Sequence, residues 1–243
     1  MKKCENEIWG IIPARGGSKS IPLKNLVKLN NRPLIEYVIE AAKASDTITR
    51  IICSTEDDRI KSFCLKKGIE VHHRPQELAA DDTNVLDVLI FLLKHFQKKE
   101  GTLPVAIALL QPTSPFILPD QIEACVRDIL DNDSVNSCQT LSEFPHNYHA
   151  FNQRVIEDEK VRFVFPKERE KYYNKQTKPH FFIFGNLIVI RSIALLEKKE
   201  IFPNPSMPTV IPYHYALDVD GPEDLELAEW YLAQKKVSLP HMV

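Results

Sequence analysis

The sequence predicts an α/β protein, a Rossmann-like and mostly parallel sheet flanked by helices and interrupted by one insertion. Three observations predict it. Short β-rich runs alternate with stretches carrying apolar residues at helical spacing, the pattern of strands joined by crossover helices. The 243 residues, 44% hydrophobic and 26% charged, suit one core of that kind. The alternation fails in a single place, residues 141–180. Residues 1–243 therefore read as one domain with 141–180 inserted.

Strands are expected at 7–13, 50–54, 69–72, 105–110 and 134–139. Between them Pro33 to Ala44, Asp57 to Lys67, Val85 to Lys98 and Asp120 to Leu130 read as helices, several opening on residues suited to a first turn. The right-handed crossover rule fixes their winding. The insertion holds Pro145-His146-Asn147-Tyr148-His149, a charged run from Glu157 to Lys171, and Tyr172-Tyr173-Asn174-Lys175-Gln176. Phe181 to Ile190 then reads as a buried strand, and 209–212 as a short one. A last helix starts at Pro222-Glu223-Asp224, with Pro and two acids where a first turn prefers them, and runs to about Ala233.

A net charge of −2 leaves no electrostatic footprint for nucleic acid or an anionic membrane, so the ligand should be small. Cys4, Cys53, Cys64, Cys125 and Cys138 are odd in number and never form C-x-x-C. They are expected to be reduced, buried and inert, with neither a disulfide framework nor a zinc site. Without an apolar leader or a membrane-length run, the expected compartment is the cytoplasm. His72, His73, His146 and His149 have no spacing suited to a metal set or a nucleophile–base pair, and read as surface or satisfied core groups.

Chemistry concentrates after the first strand, in Ile11-Ile12-Pro13-Ala14-Arg15-Gly16-Gly17-Ser18-Lys19-Ser20-Ile21-Pro22-Leu23-Lys24-Asn25. Gly16 and Gly17 are expected to take backbone angles closed to other residues and turn N–H groups inward as an anion nest, with Arg15, Lys19 and Lys24 adding charge. Neither G-x-G-x-x-G nor the Walker spacing fits. Far along the chain, Asp218 and Asp220 lie two apart, so an extended segment would aim both carboxylates one way, as a shared Mg²⁺ site needs. Gln111 and Thr113 follow a strand in a Pro-rich turn at the carboxyl edge of the sheet, where open α/β proteins bind ligands.

Ala14 through Asn25 matches every fixed position of A-R-x-x-S-K-x-(I/L)-x-x-K-N, the opening of the CMP-sialic acid (N-acylneuraminate) synthetases. Ile51-Ile52-Cys53-Ser54-Thr55, Arg74-Pro75-Gln76-Glu77-Leu78-Ala79, Leu110-Gln111-Pro112-Thr113-Ser114-Pro115 and Asp218-Val219-Asp220 resemble further segments of that cytidylyltransferase family, in order. The resemblance implies attack by the anomeric hydroxyl of an acidic 2-keto sugar on the α-phosphorus of CTP, with pyrophosphate leaving. Positioning and charge neutralisation carry such a reaction. It implies a nucleotide site at Ala14, Arg15, Gly16, Gly17, Ser18, Lys19, Asn25, Arg74, Asp81, Gln111 and Thr113. Arg15, Lys19, Lys24 and Asp218 become the catalytic group, and Asp218 with Asp220 the Mg²⁺ ligands. It also implies a homodimer in which the insertion is an arm reaching the partner's sugar site. Gln111, Lys175 and Gln176, with Arg169, are the sugar-side candidates.

Plainer readings stand beside these. The first loop could be an ordinary strand-to-helix connection, Asn25 a turn residue, D-x-D before Gly-Pro a turn, Arg74 an unpaired surface arginine, and the insertion's cations a solvated face. Three departures from the family fall on the ribose or sugar side. Asp82-Thr83-Asn84 replaces small hydroxyl residues, Ile183-Phe184-Gly185-Asn186 replaces R-P-N-G, and Lys175-Gln176 stands where Arg-Gln is common. The acceptor could accordingly be legionaminic acid, pseudaminic acid or another nonulosonate. A nucleotidyltransferase acting on a sugar 1-phosphate would show G-x-G-T-R, absent here, and a non-catalytic relative would lack Asp218 or Asp220, present here. Fold alone separates none of these.

Overall fold

The computed structural model describes residues 2–3 and 7–242. Strands β1 (Ile8–Pro13), β2 (Arg50–Thr55), β3 (Glu70–His73) and β4 (Ala106–Leu109) pair in parallel in the order β3-β2-β1-β4. Helices α1 (Leu34–Ala44), α2 (Asp58–Lys66) and α3 (Val85–Glu100) make the crossovers. Alternation along β1 sets the layers. Ile8 and Ile12 enter one core with Val38 and Ile39 of α1 and Ile60 of α2, and Trp9 and Ile11 enter the other with Leu89, Leu92 and Phe96 of α3.

The helix ends follow local chemistry. Asp57 accepts the amides of Arg59 and Ile60 at 2.8 and 3.2 Å, and Asn84 accepts that of Leu86 at 2.9 Å, so both helices open on a side-chain cap. α3 stops at Gly101, whose φ of 75° is the left-handed conformation glycine adopts freely.

The second half closes the sheet. Helix α4 (Pro119–Asp131) leads to β5 (Ser137–Glu143), and the insertion carries the hairpin β6 (Arg154–Glu157) and β7 (Lys160–Phe163) with the short α5 (Pro166–Lys171). Strand β8 (Phe182–Arg191) then runs antiparallel between β4 and β5, followed by α6 (Ser192–Lys198), the edge strand β9 (Ser206–Val210) and α7 (Pro222–Ala233). The main sheet reads β9-β5-β8-β4-β1-β2-β3, with β8 alone opposed in direction. A third core packs Val219, Ala228 and Tyr231 against Ile21, Leu34 and Tyr37, which draws the end of the chain over the loop after β1.

Two expectations change here. β5 continues through residue 143, pairing Glu143 with Phe182, so the excursion spans 144–181. The run from Phe181 is not a buried strand throughout: Phe181, Phe182 and Ile183 are 40%, 41% and 37% exposed. They lie where β8 leaves the sheet, and burial is complete only from Gly185. Cys53, Cys64, Cys125 and Cys138 are free and buried as expected, and Cys4 lies outside the described residues. His72 is buried with Nδ1 unpartnered among the described residues, so it is a core histidine that is not fully satisfied. Burial holds its pKa down at about 4.

Candidate active site

Strand order reverses beside β1, with β2 on one side and β4 on the other, and the carboxyl ends of such strands form a crevice. A cavity of about 540 Å³ opens there. The loop after β1 walls it with Arg15, Gly17, Ser18, Lys19, Lys24 and Asn25; Arg74 and Asp81 face them, and Gln111 and Thr113 close the end of β4. Ten of the expected site residues therefore meet in one place.

The loop is not held as expected. Neither Gly16 nor Gly17 is left-handed, and the left-handed residue is Leu23, at φ 51°. The Gly16 amide donates to Glu56 Oε1 at 2.6 Å, so it is committed to protein and does not join an anion nest. Gly16 is required for a different reason, since a Cβ there would come within 2.5 Å of Asp57 Oδ2. Nothing crowds Gly17. Ala14 is fully buried and donates its amide to Ser54 O at 3.0 Å, which fixes the exit of β1 without lining the cavity. Asn25, also buried, donates Nδ2 to Arg15 O at 2.8 Å and so folds the loop back on itself.

The D-x-D segment lies beside the cavity, in contact with Lys24 and Thr113 of its lining. Val219 is fully buried and its amide donates to Thr113 O at 2.7 Å, leaving Asp218 and Asp220 on the opposite side of the chain. Asp218 Oδ1 accepts from Ser114 Oγ at 3.4 Å. Asp218 is open to water on one side and enclosed by protein on the others. That partial loss of water raises its carboxyl above the usual range, and neighbouring Asp220 adds to the rise. Asp224 Oδ2 accepts the amides of Asp220 and Gly221 at 2.9 and 2.8 Å, tying the segment to the start of α7.

Lys24, expected on the phosphates, reaches the D-x-D segment instead. Its Nζ donates to Val219 O and Asp220 O, both at 3.1 Å, and to Asp220 Oδ1 at 3.3 Å. An ammonium has three protons, and all three are placed. Arg74 is buried, not a surface arginine, and its Nη2 donates to Ser54 O at 2.8 Å. Burial lowers its pKa, with Glu56 opposing. Asp81 lies between Lys19 and Arg15, which hold its carboxyl below the usual range.

The sugar-side candidates are less gathered. Lys175 and Gln176 occupy an exposed single turn in the insertion, and neither lines the cavity. Arg169 Nη1 donates to Tyr173 O at 3.3 Å within the insertion. Asn186, part of the altered R-P-N-G segment, is buried: its Nδ2 donates to Gln121 Oε1 and Tyr215 O at 3.0 Å, and its Oδ1 accepts from Thr140 Oγ1 at 3.0 Å. In this chain it joins β8 to β5 and α4. Glu56, Asp57 and Ser114 support the site without having been singled out as site residues from sequence, since each acts through a partner distant in the chain, and Asp224, read there only as a first-turn acid, does so through the amides of Asp220 and Gly221 just before it.

Residues 9–237 match the family described as cytidylyltransferase, and the chain belongs to that family. It is 30% identical over 237 residues to the CMP-N,N'-diacetyllegionaminic acid synthase of Legionella pneumophila, covering 96% of this chain and 97% of that protein. To the N-acylneuraminate cytidylyltransferase of Escherichia coli O18:K1:H7 it is 29% identical over 224 residues, 91% of this chain and 51% of that one, so it spans about half that relative's length. In structure, a CMP:2-keto-3-deoxy-manno-octonic acid synthetase complexed with CTP matches with a TM-score of 0.71 at 18% identity, over 94% of this chain and 99% of the other, a likeness of fold.

Proposed function

We propose that the chain transfers CMP from CTP to the anomeric hydroxyl of an acidic 2-keto sugar of the nonulosonate class, releasing pyrophosphate. The observation that carries this is the meeting of Arg15 and Lys19 in one cavity at the switch point of the sheet, with the D-x-D segment bonded to two residues of its lining, Lys24 and Thr113. Full-length similarity to a legionaminic acid CMP-sugar synthase supports the acceptor class.

Arg15 and Lys19 would offset charge gathering on the departing β- and γ-phosphates, and such donors act most strongly where water is partly excluded. Asn25 holds the Arg15 carbonyl and so fixes the backbone from which the guanidinium projects. Gln111 and Thr113 line the cavity at the end of β4, where they would meet nucleotide and acceptor. Ala14 and Gly16 shape the loop from behind, and Arg74 lines the cavity opposite it.

Asp218 and Asp220 suit Mg²⁺. Two carboxylates share one side of the chain, and the protein around Asp218 takes part of its water away. Mg²⁺ is commonly held by one or two carboxylates with substrate phosphates completing its shell. When bound it would supply charge neutralisation at the triphosphate and help acidify the attacking hydroxyl. Lys24 fixes the segment that presents these carboxylates. The insertion is proposed to reach across a homodimer and bring Lys175 and Gln176 to the partner's acceptor site, with the cytoplasm as the compartment. No helix among the described residues is long and apolar enough to cross a membrane.

Pyrophosphate release tests the reading, with CTP against UTP, ATP and GTP, Mg²⁺ against chelator, and a panel of 2-keto sugar acids beside sugar 1-phosphates. Release with CTP, Mg²⁺ and one acid is expected. Release only with a sugar 1-phosphate would overturn the acceptor class, and release unchanged by chelator would remove the metal.

A further inference from the structure

We propose that Asp81 is a built-in counter-anion of the phosphate site, holding Arg15 and Lys19 in the empty protein and giving them up when a polyphosphate enters. This rests on the triphosphate reading of the cavity and concerns how that site is opened. Asp81 Oδ1 lies 2.7 Å from Arg15 Nη1, and Oδ2 lies 2.7 Å from Lys19 Nζ. One carboxylate spans two cations, each oxygen taking one, as two phosphate oxygens would.

All four cations lining the cavity are engaged with protein. Arg74 is buried on Ser54, and Lys24, with a side chain only 13% exposed, is spent on the D-x-D segment. The pairs made by Asp81 differ, because they join side chain to side chain in the open, with Lys19 83% and Asp81 46% exposed. Exposed ion pairs contribute little stability, so these are the contacts an incoming polyanion breaks most cheaply. Asp81 lies in a surface turn, closed by the Thr83 amide on Ala80 O at 3.2 Å, between a single turn at Gln76–Leu78 and the cap of α3 at Asn84, so its carboxylate can swing aside by side-chain rotation alone. Once displaced, it is a negative charge beside the anion that displaced it. It then opposes retention of triphosphate and pyrophosphate alike, which favours turnover over tight binding.

Binding of inorganic tripolyphosphate, pyrophosphate and CTP by calorimetry, to the full chain and to Asp81→Asn, tests this. Asp82→Asn serves as a control of equal charge change in the same stretch, at a residue that does not line the cavity. Asp81→Asn should bind all three anions about threefold to tenfold more tightly, and pyrophosphate should become a correspondingly stronger inhibitor. Asp82→Asn should change affinity less than about twofold. Asp81→Ser repeats the test, and tightening is a result that misfolding cannot produce. Unchanged or weaker binding in both Asp81 variants, or equal tightening by Asp82→Asn, would overturn the proposal. Tighter tripolyphosphate and pyrophosphate binding by the Asp81 variants, with CTP bound no better than tripolyphosphate by any of the proteins, would leave it standing and remove the cytidine reading instead.

Discussion

On the nucleotide side of the cavity, polar side chains reach across the fold to distant backbone: Arg74 to Ser54, Lys24 to Val219 and Asp220, Asn25 back to Arg15. In the arm between 144 and 181 they bond within the arm. Asn152 Nδ2 donates to His146 O at 2.8 Å, Lys178 Nζ to Asn152 Oδ1 at 2.6 Å, and the Phe151 amide to His149 Nδ1 at 3.2 Å. Phe151 is the centre of a small aromatic cluster with Phe165, Tyr172 and Phe181. Of the cations in the first region, Arg74 is directed by the main sheet through Ser54, Lys24 by the D-x-D segment, and Arg15 and Lys19 by Asp81, whereas the arm keeps a core of its own. Its outer face still shows Ile156 and Val161, 75% and 66% exposed, on the two strands of the hairpin. A surface of that kind is what a second chain would cover, in keeping with the proposed dimer.

This contrast can be broken first on the nucleotide side. Arg15→Ala, Lys19→Ala and Asp218→Asn should each lower turnover about 10²–10³-fold with an unchanged circular dichroism spectrum. Near-normal pyrophosphate release in all three would dissolve the distinction between the regions. In the arm, Phe151→Ala should cost about 3 kcal/mol of local stability. Protease cutting within 144–181 should rise while CTP affinity holds, and a parallel loss of CTP affinity would show that the regions are one unit. At their junction, Gly185→Ala would press a Cβ to 2.5 Å from Thr140 Oγ1. Thermal unfolding should register about 1–3 kcal/mol for the whole domain. The smallest effect should come from Asn25→Ala, at about 1 kcal/mol, read as a rise in KM for CTP with kcat nearly kept; an unaltered KM would mean Arg15 is oriented by other contacts.

The sheet was legible because its signal is periodic. Trp9 and Ile11 alternate with Ile8 and Ile12, and α1 to α4 open on residues suited to helix starts or just after them. The cavity was legible because its residues cluster in short segments of fixed spacing. What escaped were choices of partner. Lys24 and Asp220 lie 196 residues apart, and nothing local says that this lysine takes a carbonyl in place of a phosphate. The Gly16 amide was open to an anion on sequence grounds until Glu56, 40 residues away, is seen to occupy it. The hairpin was hidden for a different reason. Its turn residues Asp158 and Glu159 both have positive φ, at 49° and 61°, a geometry usually announced by Asn-Gly or Asp-Gly, so the segment read only as a charged run. Asn186 read only as part of an altered sugar-side segment, because its burial depends on Gln121 and Tyr215, neither of them near it in sequence.

The pairing of Glu143 with Phe182 has a practical consequence. Where the arm departs and where it returns are neighbouring positions on adjacent strands, about 5 Å apart. A segment rooted that way closes on itself at either end, and the entropy of closing it grows slowly with length. Residues 144–181 are thus a natural cassette. Exchanging them between relatives that act on different acids would move the proposed acceptor-facing part as a unit and leave the strands that lead to Arg15 and Lys19 in register, a route to new CMP-sugar donors by transplantation if the proposed roles hold in the exchange.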